Sequence, residues 1–185
     1  MHGKVRVLDM TSMRIRSATR QDADALVAIL RQAFKPVAER FGFSKGNCPT
    51  HASLVEPAWL LWEMDHGAEY LMGTDETGRG VCCISLKVDE AGVAELRRLA
   101  VIPALQGKGY GRRLVEELER ECGRRAIGKI TLGIVSDHVE LHEWYLRAGY
   151  SDSALVSFTH LPFKVQYMQK NLVTTAHATL SAAAT

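Results

Sequence analysis

Apolar and polar residues change period several times along this chain, and each change marks an element. Arg14-Ile15-Arg16 alternates as a short strand does. Leu26, Ile29, Leu30 and Ala33 then recur at helical spacing, which predicts a helix over about 20–34. Thr19 has the chemistry of its N-cap, Asp22 is the capping-box partner three residues on, and Pro36 falls just beyond its end. Residues 35–56 read as a long irregular stretch carrying Pro36, Gly42, Gly46, Asn47 and Pro49. Pro57 suits the first turn of a second helix and Gly67 its end. Strands are expected over about 69–74, 81–86 and 93–101, separated by turn residues at 75–78 and 89–92. After Pro103 comes a glycine-rich turn, 107–111, and then a helix to about 125 with Leu114, Leu118 and Cys122 on its buried stripe. Glu116 with Arg120, and Glu121 with Arg125, are four-apart pairs suited to its exposed side. A strand at about 130–135 follows. Asp137 and Glu140 suit the cap of a helix to about 148, with Gly149 at its C′ position. Strands at about 153–159 and 163–171 complete the pattern. The order predicts a mixed α/β sheet with helices on its faces, one domain over 13–172, an extension over 1–12 and a loose tail over 173–185.

Composition narrows the function classes. The 185 residues suit one domain, and 46% apolar with 24% charged residues excludes a disordered or fibrous chain. A net charge of +2 is too small for a protein built to coat nucleic acid. No apolar run approaches the ~20 residues that cross a bilayer, and the first residues lack the apolar core of a secretory signal. Cys48, Cys82, Cys83 and Cys122 form no C-x-x-C pair, which suits reduced, buried thiols and a cytoplasmic setting. Cys82 and Cys83 fall on opposite faces of one strand.

The chemistry concentrates in Gln106-Gly107-Lys108-Gly109-Tyr110-Gly111-Arg112-Arg113, between a strand and a helix. Glycines let successive N–H groups converge, and the helix start adds unpaired donors and a positive dipole end. Together these make an anion site suited to a pyrophosphate. The dinucleotide fingerprint would need glycine where Arg112 stands, and no Gly-Lys here is followed by Ser or Thr as the Walker pattern requires. What does match is Gln-x-x-Gly-x-Gly at Gln106, Gly109 and Gly111, behind a strand reading Glu95-Leu96-x-x-Leu99-x-Val101. This resembles the acyl-CoA signature of the GNAT superfamily of N-acetyltransferases. Trp144-Tyr145-Leu146-Arg147-Ala148-Gly149-Tyr150 is similar to that superfamily's Tyr-x-x-x-Gly-(Phe/Tyr) close.

The resemblance covers about residues 13–172 and implies a mostly antiparallel central sheet with helices on both faces, splayed between its fourth and fifth strands. It implies acetyl-CoA as co-substrate, with Leu99, Ala100 and Val101 pairing with the pantetheine arm and a backbone N–H near Val101 polarising the thioester. Gln106, Gly107, Lys108, Gly109, Tyr110, Gly111 and Arg112 would hold the pyrophosphate. Tyr145 matches the family's tyrosine, the acid that protonates the leaving sulfur. Glu95 stands where members often carry a glutamate base. Period-2 alternation also sets it on the face of Val101, with Arg97 beside it and Arg98 on the other face. The family often has Asn seven residues before the tyrosine; here that position is His138.

The stretch 41–51 falls where the family's first helices border the acceptor groove, with Phe41, Phe43, His51 and Trp59 as candidate lining. His138 with His142, and Cys48 with His51, have metal-like spacings but lack a third and fourth ligand, so no metal is expected. Two function classes follow. One is an N-acetyltransferase that passes an acetyl group directly to a primary amine on a small molecule or peptide. The other is a non-catalytic acyl-CoA sensor, which would have no need of Glu95 or Tyr145. Homodimers are common among proteins of this type. Neither nucleic acid nor membrane is an expected partner.

Overall fold

The computed structural model describes residues 13–173; the expected extension over 1–12 and the tail from residue 174 lie outside the described residues. The chain runs β1 (Arg14–Ser17), α1 (Ala23–Phe41), α2 (Pro57–Asp65), β2 (Ala68–Thr74), β3 (Gly80–Val88), β4 (Ala94–Val101), α3 (Tyr110–Arg124), β5 (Lys129–Val135), α4 (Val139–Arg147), β6 (Ser151–Ser157) and β7 (Lys164–Asn171). The strands form a seven-stranded sheet in the order β1-β2-β3-β4-β5-β7-β6. Every neighbouring pair is antiparallel except β4 and β5. Those two pair only at Ala94 with Ile130 and Glu95 with Thr131, so the sheet opens from that point toward Val101.

Each face carries its own core. Ala94, Leu96, Leu114, Leu118, Cys122, Ile130, Leu132 and Tyr145 pack on the side of α3 and α4. Leu26, Ile29, Leu30, Leu60, Tyr70 and Ala100 pack on the side of α1 and α2. Cys82 joins the first core and Cys83 the second, as strand alternation requires. All four cysteines are free and buried. No helix among the described residues is long and apolar enough to cross a membrane.

Several boundaries differ from the sequence expectation. Residues 20–22 form a 3₁₀ turn, in which the Asp22 carboxylate accepts from the Thr19 amide at 2.8 Å and from Arg16. Helix α1 then continues past Pro36 to Phe41 and closes at Gly42, φ +68°. Proline removes one helical donor without forbidding the helix when packing holds both sides, and here Ala33 and Ala38 are buried on either side of it. On α3, Glu116 pairs with Arg112 at 2.9 Å and Arg120 with Glu117 at 2.7 Å, in place of the expected Glu116–Arg120 pair. Glu121 meets Arg125 at 2.7 Å as expected. The N-cap of α4 is His138, not Asp137, whose carboxylate accepts from Ser136 instead.

Candidate active site

The turn between β4 and α3 is built by hydrogen bonds that point inward at its start and leave donors at its end. The Leu105 amide donates to Ile102 at 2.9 Å and the Gln106 amide to Pro103 at 3.3 Å, closing a 3₁₀ turn over Pro103–Leu105. Gly107 (φ +73°) and Gly109 (φ +84°) then take left-handed backbone, which turns the chain into the first turn of α3. Its first helical bond runs from the Arg113 amide to Gly109. Among the described residues, the amides of Gly107, Lys108, Gly109, Gly111 and Arg112 have no main-chain acceptor. A run of unclaimed amides at a helix start is an anion cradle. It fits the diphosphate of an acyl-CoA.

Two residues of the expected cradle serve it differently from the sequence reading. Gln106 spends its own amide within the turn, and its side chain donates to the Val101 carbonyl at 3.1 Å. It therefore ties the turn to the end of β4. Tyr110 is 2% exposed and its ring belongs to the core, so only its backbone faces the turn. Lys108 and Arg112 are exposed there, Arg112 being paired with Glu116.

The end of β4, the turn and α4 converge. A Cβ placed on Gly111 would stand 3.7 Å from Val101 Cγ2 and 3.8 Å from Trp144 Cζ2. Sequence reasoning passed over Trp144, although it is the direct neighbour of Tyr145. The Tyr145 ring is 3% exposed and packs edge-on against Trp144 and Tyr150. Burial pushes its phenol well above the ordinary range, and its hydroxyl makes no hydrogen bond among the described residues. It is a neutral donor at every physiological pH.

Glu95 is not on the face of Val101. Arg97 pairs with Ser85 and Ala100 with Cys83, so β4 fits one extra residue into that interval. Arg98, at φ +52°, occupies this bulge. A bulge shifts the alternation by one residue. Ala94 and Leu96 before it, and Leu99 and Val101 after it, face the α3 side, while Ala100 joins the α1 core. Glu95 and Arg97 thus face the α1–α2 side, at the vertex where β4 and β5 part. Glu95 Oε2 lies 3.7 Å from Arg97 Nε, both half-exposed. Arg98 does not take the opposite face from Arg97 either. It reaches α2, where its guanidinium binds the Glu63 carboxylate at 2.6 and 2.9 Å.

Of the four residues expected to line an acceptor groove, the structure gathers three. Phe41 stacks on Phe43 with ring centroids 5.7 Å apart, and Phe43 meets His51 at 5.1 Å. Phe163, from the β6–β7 connection, closes on Phe43 at 4.8 Å, a contact that sequence spacing did not show. Trp59 instead packs against the α1–α2 core. His51 Nδ1 accepts from the Ser53 amide, so this histidine caps the turn over Ala52–Leu54. Burial, then the nearby Arg98, hold its pKa below the usual value. His138 meets Phe41 at 5.7 Å with the rings tilted by 45°; its Nδ1 is buried without a hydrogen bond, with Glu140 Oε2 3.3 Å away. Glu140 is held by Arg40 through two bonds of 3.0 and 3.1 Å, which ties α1 to α4. Beside this aromatic group, Ser136, Asp137, Phe158, Leu161 and Phe163 line an open cavity of about 400 Å³. A larger one, about 580 Å³, lies at the other end of the sheet, where Arg16, Arg20, Arg124 and Arg125 are each engaged by a carboxylate. Among the described residues no three His, Cys, Asp or Glu side chains gather into a metal-ligand set.

Solved structures of known proteins share this fold. The ribosomal-protein-S18-alanine N-acetyltransferase of Escherichia coli superposes with a TM-score of 0.68 at 18% identity, covering 86% of this chain and 94% of that one. The PaiA N-acetyltransferase of Thermoplasma acidophilum, solved with coenzyme A, gives 0.68 at 18% identity over 86% and 99%. A phosphinothricin acetyltransferase of Sinorhizobium meliloti, solved with acetyl-CoA, gives 0.67 at 18% over 87% and 89%. No curated protein matches significantly in sequence. The acetyltransferase (GNAT) family matches residues 30–150, across the split sheet, the glycine turn and α4. The chain belongs to the GNAT acetyltransferase family, and is an acyl-CoA-dependent N-acyltransferase.

Proposed function

We propose that this protein transfers an acetyl group from acetyl-CoA directly to a primary amine, with Glu95 as base and Tyr145 as acid. The observation that supports the proposal is the set of amides without a main-chain acceptor at Gly107, Lys108, Gly109, Gly111 and Arg112, beside the edge of β4 that parts from β5 beyond Glu95 and beside Trp144, the neighbour of Tyr145 on α4. Acetyl-CoA supplies the activated acyl group. The turn amides neutralise its diphosphate, the β4 edge from Leu99 to Val101 aligns its arm, and an amide near Val101 polarises the thioester oxygen.

An alkylammonium has a pKa near ~10.4, so its proton must be removed before it attacks. Glu95 sits on the α1–α2 side of the split, the side of Phe41, Phe43 and His51, and takes that proton directly or through one water. As the C–N bond forms and the C–S bond breaks, Tyr145 donates its proton to the departing thiolate. Burial raises the phenol, and the same dry site raises the thiolate's basicity, so the hydrogen bond to sulfur stays matched. His138 takes the place of the family's asparagine near the arm. The acceptor enters between the aromatic group and the 400 Å³ cavity. The acceptors named for similar folds include a ribosomal-protein alanine and phosphinothricin, so the fold alone selects none.

Thiol release from acetyl-CoA with a panel of small amines and peptides tests this. Tyr145→Phe is expected to lower kcat by about 10²-fold or more while the KM for acetyl-CoA stays within about twofold of wild type. An unchanged kcat removes Tyr145 from the mechanism. Tight CoA binding without turnover on any amine supports the sensor reading instead.

A further inference from the structure

We propose that Arg98, Glu63 and Tyr70 form a positioning cluster that holds the β4 bulge, and through it the strand edge that receives acyl-CoA. The inference rests on the cofactor reading above. Arg98 is one of two non-glycine residues with positive φ among those described, the other being Ala126 in the α3–β5 connection. A side chain in that region is strained, and the strain persists only when the surroundings over-determine it. Here they do. The Arg98 guanidinium makes two bonds to the Glu63 carboxylate, and the Tyr70 hydroxyl donates to the same carboxylate. The Arg98 and Glu63 side chains are only 13% and 11% exposed, and Tyr70 is buried. Burial pushes Glu63 up, but Arg98 and the Tyr70 hydroxyl bring it below its ordinary value, so the pair stays ionised. The Cys83 thiol approaches the Arg98 carbonyl from β3 at 3.9 Å.

A buried ion pair of this kind is a poor stability device, because apolar residues of the same size often serve as well. Its position suggests another use. The bulge lies between Glu95, where β4 still pairs with β5, and Leu99–Val101, where it does not. If β4 relaxed to regular alternation, Leu99, Ala100 and Val101 would each exchange faces. The tie from Gln106 to the Val101 carbonyl would then be misplaced together with the phosphate turn.

Glycine adopts positive φ without strain, and this separates positioning from packing. Two triple variants share Tyr70→Phe and Glu63→Met; one adds Arg98→Met and the other Arg98→Gly. Both lose the ion pair, but only the glycine variant keeps the bulge at no cost. Calorimetry with CoA is expected to show affinity about tenfold weaker for the methionine variant, the size of left-handed strain. The glycine variant is expected within about threefold of wild type. Equal affinities in the two variants, whether weak or normal, overturn the positioning role. If the methionine variant does not fold, Glu63→Gln in the otherwise unaltered protein is the substitute. Its CoA affinity should fall and amide exchange at Leu99–Val101 should quicken; wild-type values for both overturn the inference. A wild-type protein that binds no CoA overturns the cofactor reading and this inference with it.

Discussion

Gly109 is the N-cap of α3 at φ +84° and ψ −4°, with no side chain to cap the helix. Its conformation aims the amides that follow it out of the turn. An alanine there must hold a left-handed backbone at about 1–2 kcal/mol, or turn back and carry those amides away. Gly109→Ala is therefore expected to lower unfolding free energy by about 1–2 kcal/mol in urea titration. It should also weaken CoA binding by about tenfold or more, since losing one charge-assisted bond is worth about that factor. Gln106 acts at the same scale by other means. Its amide closes the 3₁₀ turn and its side chain holds Val101, so it shapes the cradle without entering it. Unchanged CoA affinity in Gly109→Ala would mean that the diphosphate is held elsewhere.

At the scale of elements, Pro36 is the position where local preference and final structure disagree. It lies exposed within α1, and its ring nitrogen leaves the Gln32 carbonyl without its helical donor. Pro36→Ala restores that donor and removes no buried surface. The expected gain is about 1–3 kcal/mol, seen as a higher melting temperature with unaltered kcat; a loss of stability would show that α1 depends on the proline. The same disagreement explains what the sequence could tell. Periodicity and caps placed α2, α3, α4 and all seven strands, because those signals are local. The glycine turn and the tyrosine helix were legible for the same reason. The bulge at Arg98 was not, since an arginine carries no mark of positive φ. Its cause lies far away in Glu63 of α2 and Tyr70 of β2. The face of Glu95 relative to Val101 was lost with it. Phe163 joined Phe43 across a hairpin that no spacing rule connects, and Trp59, read as groove lining, went to the core.

At the scale of the molecule, the sheet has a seam. Between β4 and β5 it is held by two residue pairs, against seven for β5 with β7. Contacts that also join the halves include the core under α3, Arg40 with Glu140, Phe41 with His138 and Phe43 with Phe163. A ligand lying in the seam would contact β4 on one side and α4 on the other, so its binding energy would appear as stability of the whole fold. For a ligand that binds only the native state, a concentration of 100 Kd adds about 2.7 kcal/mol. In a chain of this size each kcal/mol raises the melting temperature by about 2–4 °C. Saturating acetyl-CoA should therefore raise it by roughly 5–11 °C, while NAD and ATP, whose turn motifs this chain lacks, should leave it within about 1 °C. Because the arm adds contacts across the seam, adenosine 3′,5′-bisphosphate, which has the nucleotide end of CoA without the arm, should bind more weakly and raise it less than CoA at equal concentration. Equal shifts from the two would place the stabilising contacts at the phosphate turn alone and leave the opening of β4 from β5 without a part in binding.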